Sequence, residues 1–163
     1  VTVRALCVES SPVLLWRAMR LENCLHCLGS CLNHLSGIFW QAGTAAFIDV
    51  LPRAPKPDNL PEGTIWNEPP RRSIPGALWL PNVGYGALAD VTLDYFRAGL
   101  AHATAGDPAR PVLIFCLEEC WMSWNAAKRA LGFGYETVYW LPEGTDGWAL
   151  WDYPTERLTP HPE

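Results

Sequence analysis

The sequence contains no run of basic residues. Its 12 Lys and Arg are outnumbered by 17 Asp and Glu, which gives a formal net charge of -5. A protein that binds nucleic acid neutralises several phosphates with a clustered basic face, so we predict no nucleic-acid partner. Binding to a membrane surface through a polybasic patch is disfavoured for the same reason.

A long apolar run is also missing. The longest stretch without Asp, Glu, Lys or Arg covers residues 23–48, and it includes two His and three Gly. It is too polar for the ~20 consecutive lipid-facing residues of a transmembrane helix, so no membrane span is expected. Glu22, Asn23 and His26 interrupt the apolar stretch that an export signal needs, so no convincing signal peptide is predicted.

Length and composition favour one folded domain. The chain has 163 residues, of which 49% are hydrophobic and 18% charged, and a domain of this size can bury about two-thirds of its unfolded surface. We predict a boundary near residue 37. Residues 1–37 are left unassigned, as a misread start or the remnant of an export signal, and residues 38–163 form the domain.

The six cysteines fall into two groups. Four of them lie in the unassigned segment: Cys7, Cys24, Cys27 and Cys31. The spacing of the last three, followed by His34, can hold zinc, but a second pair of ligands at a distance is missing. We therefore predict no metal site and interpret these four as unpaired small apolar residues. The second group is Cys116 and Cys120.

Short apolar runs alternate with helical patterns from residue 38 onward. Strands are predicted at residues 45–51, 111–115 and 137–141, and residues 74–81 read as a turn followed by a short strand. Helices are predicted at residues 88–103 and 123–131, the second with Ser123 as N-cap. Residues 52–72 contain six prolines and read as a loop, residues 144–148 as a turn, and the tail from residue 152 has little pattern. This alternation predicts an α/β domain with a mainly parallel central sheet flanked by helices.

Cys116 directly follows the clearest strand, at the point where a loop leads into a helix. Ligand sites of parallel α/β sheets lie beyond the carboxyl ends of the strands. A thiol near a helix N-terminus is favoured as the thiolate, which is the nucleophilic form. The alternative is that Cys116 ends the strand as a small buried hydrophobic residue.

Cys120 lies four residues further on and leaves several chemistries open. The two thiols can close a disulfide, Cys120 can resolve an intermediate on Cys116, or both can bind a metal. Glu118 and Glu119 stand between them. Their charges disfavour an anionic substrate and are expected to raise the thiol pKa.

Aromatic residues are concentrated in the last third of the chain. Five of the nine tryptophans lie there: Trp121, Trp124, Trp140, Trp148 and Trp151. They either belong to the core or line a pocket for a flat ligand. Asp49, at a strand end, either points into the same cleft or caps the turn that follows it. Asp146 is interpreted as a turn residue.

The landmarks of residues 38–163 resemble those of rhodanese-like domains. They are Phe47-Ile48-Asp49-Val50, Ser73-Ile74-Pro75-Gly76-Ala77, Leu113-Ile114-Phe115-Cys116, Ala126-Ala127 to Leu131, Gly134-Tyr135 to Val138 and Gly147-Trp148. Residues 116–131, with Cys120-Trp121, more narrowly resemble the PQQ-dependent catabolism-associated CXXCW motif protein family. The chain departs from these patterns at Ser73, where rhodaneses have His, and in a cysteine spacing one residue longer.

The resemblance implies a rhodanese-like α/β fold in a bacterial, periplasmic protein. It also implies a link to alcohol oxidation by quinoprotein dehydrogenases that use pyrroloquinoline quinone (PQQ). The implied partners are a PQQ-dependent alcohol dehydrogenase, its cytochrome c or its transport system. The resemblance implies no single cofactor. The ligand that it implies is a redox cofactor or a PQQ-related molecule.

We expect an accessory thiol-redox or cofactor-handling protein with catalytic residues Cys116, the reactive thiol, and Cys120, its partner. The substrate would be bound at the same edge of the sheet by five residues: Asp49, Trp121, Met122, Ser123 and Trp124. One alternative is a rhodanese-type sulfurtransferase that carries a persulfide on Cys116. Another is a non-enzymatic binding module in which the two cysteines form a structural disulfide.

Overall fold

The computed structural model describes residues 28–162, with side chains from residue 35 onward. The described chain forms four helices, α1 (Leu28–Ala42), α2 (Asp90–Thr104), α3 (Trp121–Gly132) and α4 (Gly144–Leu150). Its six strands are β1 (Ala46–Asp49), β2 (Arg71–Ser73), β3 (Leu78–Trp79), β4 (Val112–Phe115), β5 (Val138–Leu141) and β6 (Glu156–Leu158).

Four strands form a parallel central sheet in the order β3-β1-β4-β5. Every residue of β1 and β4 is buried, because helices cover both faces of the sheet. This explains why those two segments read as continuous apolar runs instead of alternating patterns. The predicted α/β class, with a mainly parallel sheet flanked by helices, is confirmed.

The sheet separates two apolar cores. On the face covered by α2 and α3, Ile48 and Ile114 pack with Phe96 and Leu100 of α2 and with Ala127 of α3. On the other face a second set packs with α1 and α4: Phe47, Leu113, Phe115, Tyr139 and Trp148, together with Phe39 and Trp40. Alternate strand residues supply the two faces, as the period of a strand requires.

Helix α1 packs on the second face and runs through residue 37, where the sequence predicted a boundary. Phe39 stacks on Tyr139 with ring centroids 5.2 Å apart, and Trp40 meets the edge of Trp148 at 5.6 Å. The division at residue 37 stays a prediction. Cys7, Cys24 and Cys27 lie outside the described residues, as do the side chains of Cys31 and His34, so the alternatives discussed for them stay open.

Three local predictions were wrong, and tertiary contacts explain each difference. Helix α3 begins at Trp121 with Cys120 as its N-cap, two residues before the expected start. The predicted turn at residues 144–148 is the beginning of α4, whose Trp148 is anchored in the core. The tail contains β6, which pairs antiparallel with β2 at the end of the proline-rich loop.

None of the helices formed by residues 28–162 is long and apolar enough to cross a membrane.

Candidate functional site

Cys116 and Cys120 meet at the carboxyl edge of the sheet. Cys116 directly follows β4 and has no exposed surface, whereas Cys120, the N-cap of α3, is half-buried. Glu119 adopts a left-handed backbone conformation (φ 53°) that lets the loop reverse between them. The two side chains lie close enough for Cys120 to raise the pKa of the Cys116 thiol, and neither thiol is in a disulfide.

The pKa of the Cys116 thiol is raised far above its usual range. Burial is the largest cause, followed by the neighbouring Cys120 side chain, and the charge of Asp49 adds to the effect. The backbone N–H of Leu117 acts in the opposite direction, because it favours the charged form of the thiol. The pKa of Cys116 is therefore raised, as expected. The causes are burial, Cys120 and Asp49, and they do not include Glu118 and Glu119.

A buried ion pair lies beneath this loop. Oδ2 of Asp49 accepts hydrogen bonds from Nε of Arg71 at 2.7 Å and from Oγ of Ser73 at 2.6 Å. Its Oδ1 accepts the N–H of Leu51 at 3.0 Å. Asp49 therefore caps the following turn, which was one of its two expected roles, and its carboxylate is enclosed by protein donors.

Arg71 joins the ion pair to the cysteine loop. Its Nη2 donates to the carbonyl of Cys116 at 3.4 Å and to Oγ1 of Thr145 at 3.3 Å. The same carbonyl accepts the N–H of Thr145 at 3.0 Å. A Cβ at Gly144 would lie 2.5 Å from that oxygen, so α4 can approach only because this residue is glycine. Sequence reasoning missed Arg71, since a basic residue ahead of Ser73 gives no local signal of burial.

The backbone N–H groups of the loop already have acceptors in the protein. Glu118 donates to Oδ2 of Asp146 at 2.7 Å, Glu119 to the carbonyl of Pro142 at 2.9 Å, and Cys120 to that of Leu117 at 3.4 Å. Asp146, expected to be a turn residue, thus anchors the loop from α4. These three N–H groups cannot bind a substrate anion without giving up these bonds.

The expected substrate-binding residues of α3 have different surroundings. Trp121 is 56% exposed beside Cys120, and Met122 is half-buried and touches Gly84 closely. Ser123 is buried, donates to the carbonyl of Cys120 at 2.7 Å, and accepts Nε1 of Trp140 at 3.0 Å. Trp124 packs edge-on against Trp140 at 5.1 Å. Of these residues, Trp121 is the one with a large exposed side chain next to a thiol.

The five tryptophans do not line one common pocket. Trp124 and Trp140 touch each other on the α3 face, whereas Trp148 is buried on the opposite face of the sheet, with its Nε1 donating to the carbonyl of Pro154 at 2.7 Å. Trp151 is 44% exposed at the end of α4. The five tryptophans are close in the sequence, but the helices and strands that carry them place them on different sides of the domain.

Residues 82–86 form a strap across α3 that the sequence did not reveal. Arg129 donates to the carbonyls of Val83, at 2.9 Å, Tyr85 and Gly86, at 2.7 Å. Asn125 donates to the carbonyl of Gly84 at 3.2 Å. The strap holds the first turns of α3, and therefore Cys120, against the rest of the domain.

The rim of the site is acidic. Glu118, Glu119 and Asp146 are exposed. Burial raises the pKa of Glu143, and the nearby charge of Glu118 adds to the effect. Oε2 of Glu143 is buried without a hydrogen-bond partner among the described residues.

No metal cluster is present at the cysteine edge among the described side chains. No group of three His, Cys, Asp or Glu among residues 35–162 could hold a metal ion. A cavity of about 420 Å³ lies at the opposite edge, where Ala46 and Leu78 begin their strands, and Trp40, His102 and Arg110 contribute to its lining. A strand of four residues separates that cavity from the thiols by about 13 Å.

Comparison with known proteins defines the class of the fold. No protein-family model matches the chain, and no curated protein matches it. The chain is similar to a rhodanese-like domain from Anabaena sp., solved in solution by NMR, with a TM-score of 0.50 and 18% identity over 80% of this chain and 83% of that one. The chain therefore has the fold of a rhodanese-like domain, with Cys116 at the carboxyl edge of its sheet.

Proposed function

We propose that this domain is a thiol-redox protein in which Cys116 and Cys120 alternate between a dithiol and a disulfide. The observation that carries the proposal is the meeting of two free thiols at one edge of the sheet, where Cys120 contributes to the raised pKa of Cys116. The short loop that joins them and the strap on α3 hold the two sulfurs together. A Cys116–Cys120 disulfide would close a loop with three residues between the two cysteines.

The surroundings of the pair support electron transfer through thiols over transfer of an anionic group. Three loop N–H groups are bonded to Asp146, Pro142 and Leu117. The exposed carboxylates of Glu118 and Glu119 repel an oxyanion such as thiosulfate. A neutral thiol or disulfide substrate meets neither obstacle.

We further propose that the protein is an accessory factor of PQQ-dependent alcohol catabolism in the periplasm. Support for this finer assignment comes from the resemblance of residues 116–131 to the CXXCW motif family. Its partner would be a quinoprotein alcohol dehydrogenase or the cytochrome c of that enzyme. Calorimetric titration of the purified protein with each of these partners tests the assignment, and the absence of binding to both would contradict it.

A sulfurtransferase is the second candidate, with a persulfide on Cys116. The N–H of Leu117 acts to lower the pKa of Cys116 and would also stabilise a persulfide anion there. The rhodanese-like fold and the position of Cys116 after β4 agree with this chemistry. It does not require Cys120, which separates it from the redox proposal.

The deciding experiment is a titration of the full chain with reduced and oxidised glutathione, followed by digestion after Glu118 and Glu119. This cleavage leaves Cys116 and Cys120 on different peptides, which stay joined only by a disulfide. We expect a reversible Cys116–Cys120 disulfide that is absent from Cys120→Ser. A protein in which this disulfide never forms would contradict the redox proposal. A pair that stays oxidised at every ratio would identify a structural disulfide instead.

The same samples test the second candidate after treatment with thiosulfate. A gain of one sulfur atom on Cys116 that survives Cys120→Ser would establish the sulfurtransferase. We expect no such gain, because the loop N–H groups that would have to bind thiosulfate are already bonded within the protein.

A further inference from the structure

We infer that Cys120 is the attacking thiol of the pair and that Cys116 is the resolving thiol, the reverse of the order expected from the position of Cys116 after β4. This inference rests on the proposed redox function. Cys116 has no exposed surface, so a bulky disulfide cannot reach its sulfur without opening the loop. Cys120 is half-buried, stands at the N-cap of the 12-residue helix α3, and is therefore the thiol that a partner can reach.

The raised pKa of the Cys116 thiol agrees with this order. Burial is the largest cause of the rise, and the neighbouring Cys120 adds to it. A thiol held in its neutral form is a poor nucleophile, so Cys116 is disfavoured for the first attack.

The surface around Cys120 indicates the class of substrate. Trp121 is 56% exposed and Leu117 is 38% exposed, and both adjoin the cysteine loop. Exposed carboxylates of Glu118, Glu119 and Asp146 surround them. An apolar spot within an acidic rim fits a disulfide carried on a protein segment with apolar and basic residues.

The reaction then proceeds in two exchanges. The Cys120 thiolate attacks one sulfur of the substrate disulfide, a mixed disulfide forms, and the other substrate sulfur leaves as a thiolate that takes a proton from water. Cys116 next releases its proton to water, and its thiolate attacks the Cys120 sulfur. The Cys116–Cys120 disulfide forms and the second substrate thiol departs. The substrate disulfide gains two electrons, and the domain loses two.

The first test is competitive alkylation of the reduced full chain with limiting iodoacetamide. Digestion after Glu118 and Glu119 places the two cysteines on separate peptides, distinct from those that carry Cys24, Cys27 and Cys31. We expect Cys120 to be alkylated at least about tenfold faster than Cys116. Equal rates, or a faster reaction at Cys116, would overturn the inference.

The second test traps the mixed disulfide with cystamine, a small cationic disulfide. Cys116→Ser should accumulate one cysteamine on Cys120, because the resolving thiol is missing, whereas Cys120→Ser should react at Cys116 at least about tenfold more slowly. Faster trapping on Cys116 would contradict the inference. If Cys116→Ser does not fold, as judged by circular dichroism, the alkylation ratio of the wild type decides the question.

The substrate class is tested with two disulfides of similar size and opposite charge. Cystamine should oxidise the wild-type pair about tenfold faster than dithiodipropionate at low salt, and 0.5 M salt should reduce the ratio. A preference for the anionic disulfide would contradict the proposed rim. The outcomes also separate the two proposals. A pair that forms its disulfide but reacts first at Cys116 refutes only the order of attack, and a pair that never forms it refutes the redox function.

Discussion

The buried ion pair beneath the cysteine loop makes the sharpest stability prediction. Asp49 has no exposed surface, and the Arg71 side chain is 7% exposed, with 2.7 Å between Nε and Oδ2. Removing one member of such a pair leaves an uncompensated buried charge, which costs about 3–5 kcal/mol. In Arg71→Met, Asp49 would keep the hydrogen bonds from Ser73 and Leu51. We therefore expect a loss near the lower limit, about 3 kcal/mol of unfolding free energy.

Urea and thermal unfolding of the purified protein measure this loss. For a domain of this size about 3 kcal/mol corresponds to a decrease in Tm of about 6–12 °C. Arg72→Met is a matched control, because Arg72 is the next residue of β2 but is exposed and donates only to Thr155. We expect this control to cost at most about 1 kcal/mol.

The double variant Asp49→Asn/Arg71→Met tests the cause. Without the carboxylate charge, the loss of Arg71 should destabilise the protein much less. The double variant should therefore be at least about 1.5 kcal/mol more stable than the sum of the two single effects predicts. Additive effects would refute the argument that an unpaired buried charge causes the loss. So would an Arg71→Met variant as stable as Arg72→Met.

Two further predictions concern residues 143 and 144. Burial raises the pKa of Glu143 in the folded state above its ordinary value of 4.5, so the unfolded state loses this proton first and stability falls as the pH rises between the two pKa values. Glu143→Gln should therefore raise Tm at pH 7 but not below pH 4.5. An equal effect at both pH values would contradict this reasoning. Gly144→Ala should cost about 2–4 kcal/mol and loosen the cysteine loop, because the residue has a φ of 53° and its Cβ would meet the Cys116 carbonyl at 2.5 Å. Gly132→Ala is its control: no described heavy atom lies within 4 Å of that Cβ, so urea unfolding should show no loss, and equal losses at both positions would refute the steric argument.

The position after β4, at the carboxyl edge of the sheet, lies in a closed environment in this protein. The thiol that follows β4 is enclosed, and the loop after it is bonded to α4 through Asp146 and to Pro142. A second thiol, Cys120 at the start of α3, is the one that is partly exposed. The fold therefore sets the positions of the strands and helices around the site, and the residues of the loop decide which chemistry the site can support.

The strands and the edge at which the thiols meet could be predicted from the sequence. β1 and β4 are continuous apolar runs because helices cover both of their faces, and such runs are recognisable without neighbours. The order of strand, Cys116, loop and helix likewise follows from local patterns. These features depend on residues that are adjacent in the chain, and local preferences decide them.

Tertiary structure alone decided which thiol is exposed and which groups surround the pair. Arg71 lies 22 residues from Asp49 in the sequence, and Asp146 lies 28 from Glu118, yet each pair forms a close hydrogen bond. The start of α3, the helix at residues 144–150 and the pairing of β6 with β2 likewise depend on packing against distant segments. Which groups pair across the fold depends on distances in space, so the residues of a single segment do not predict it.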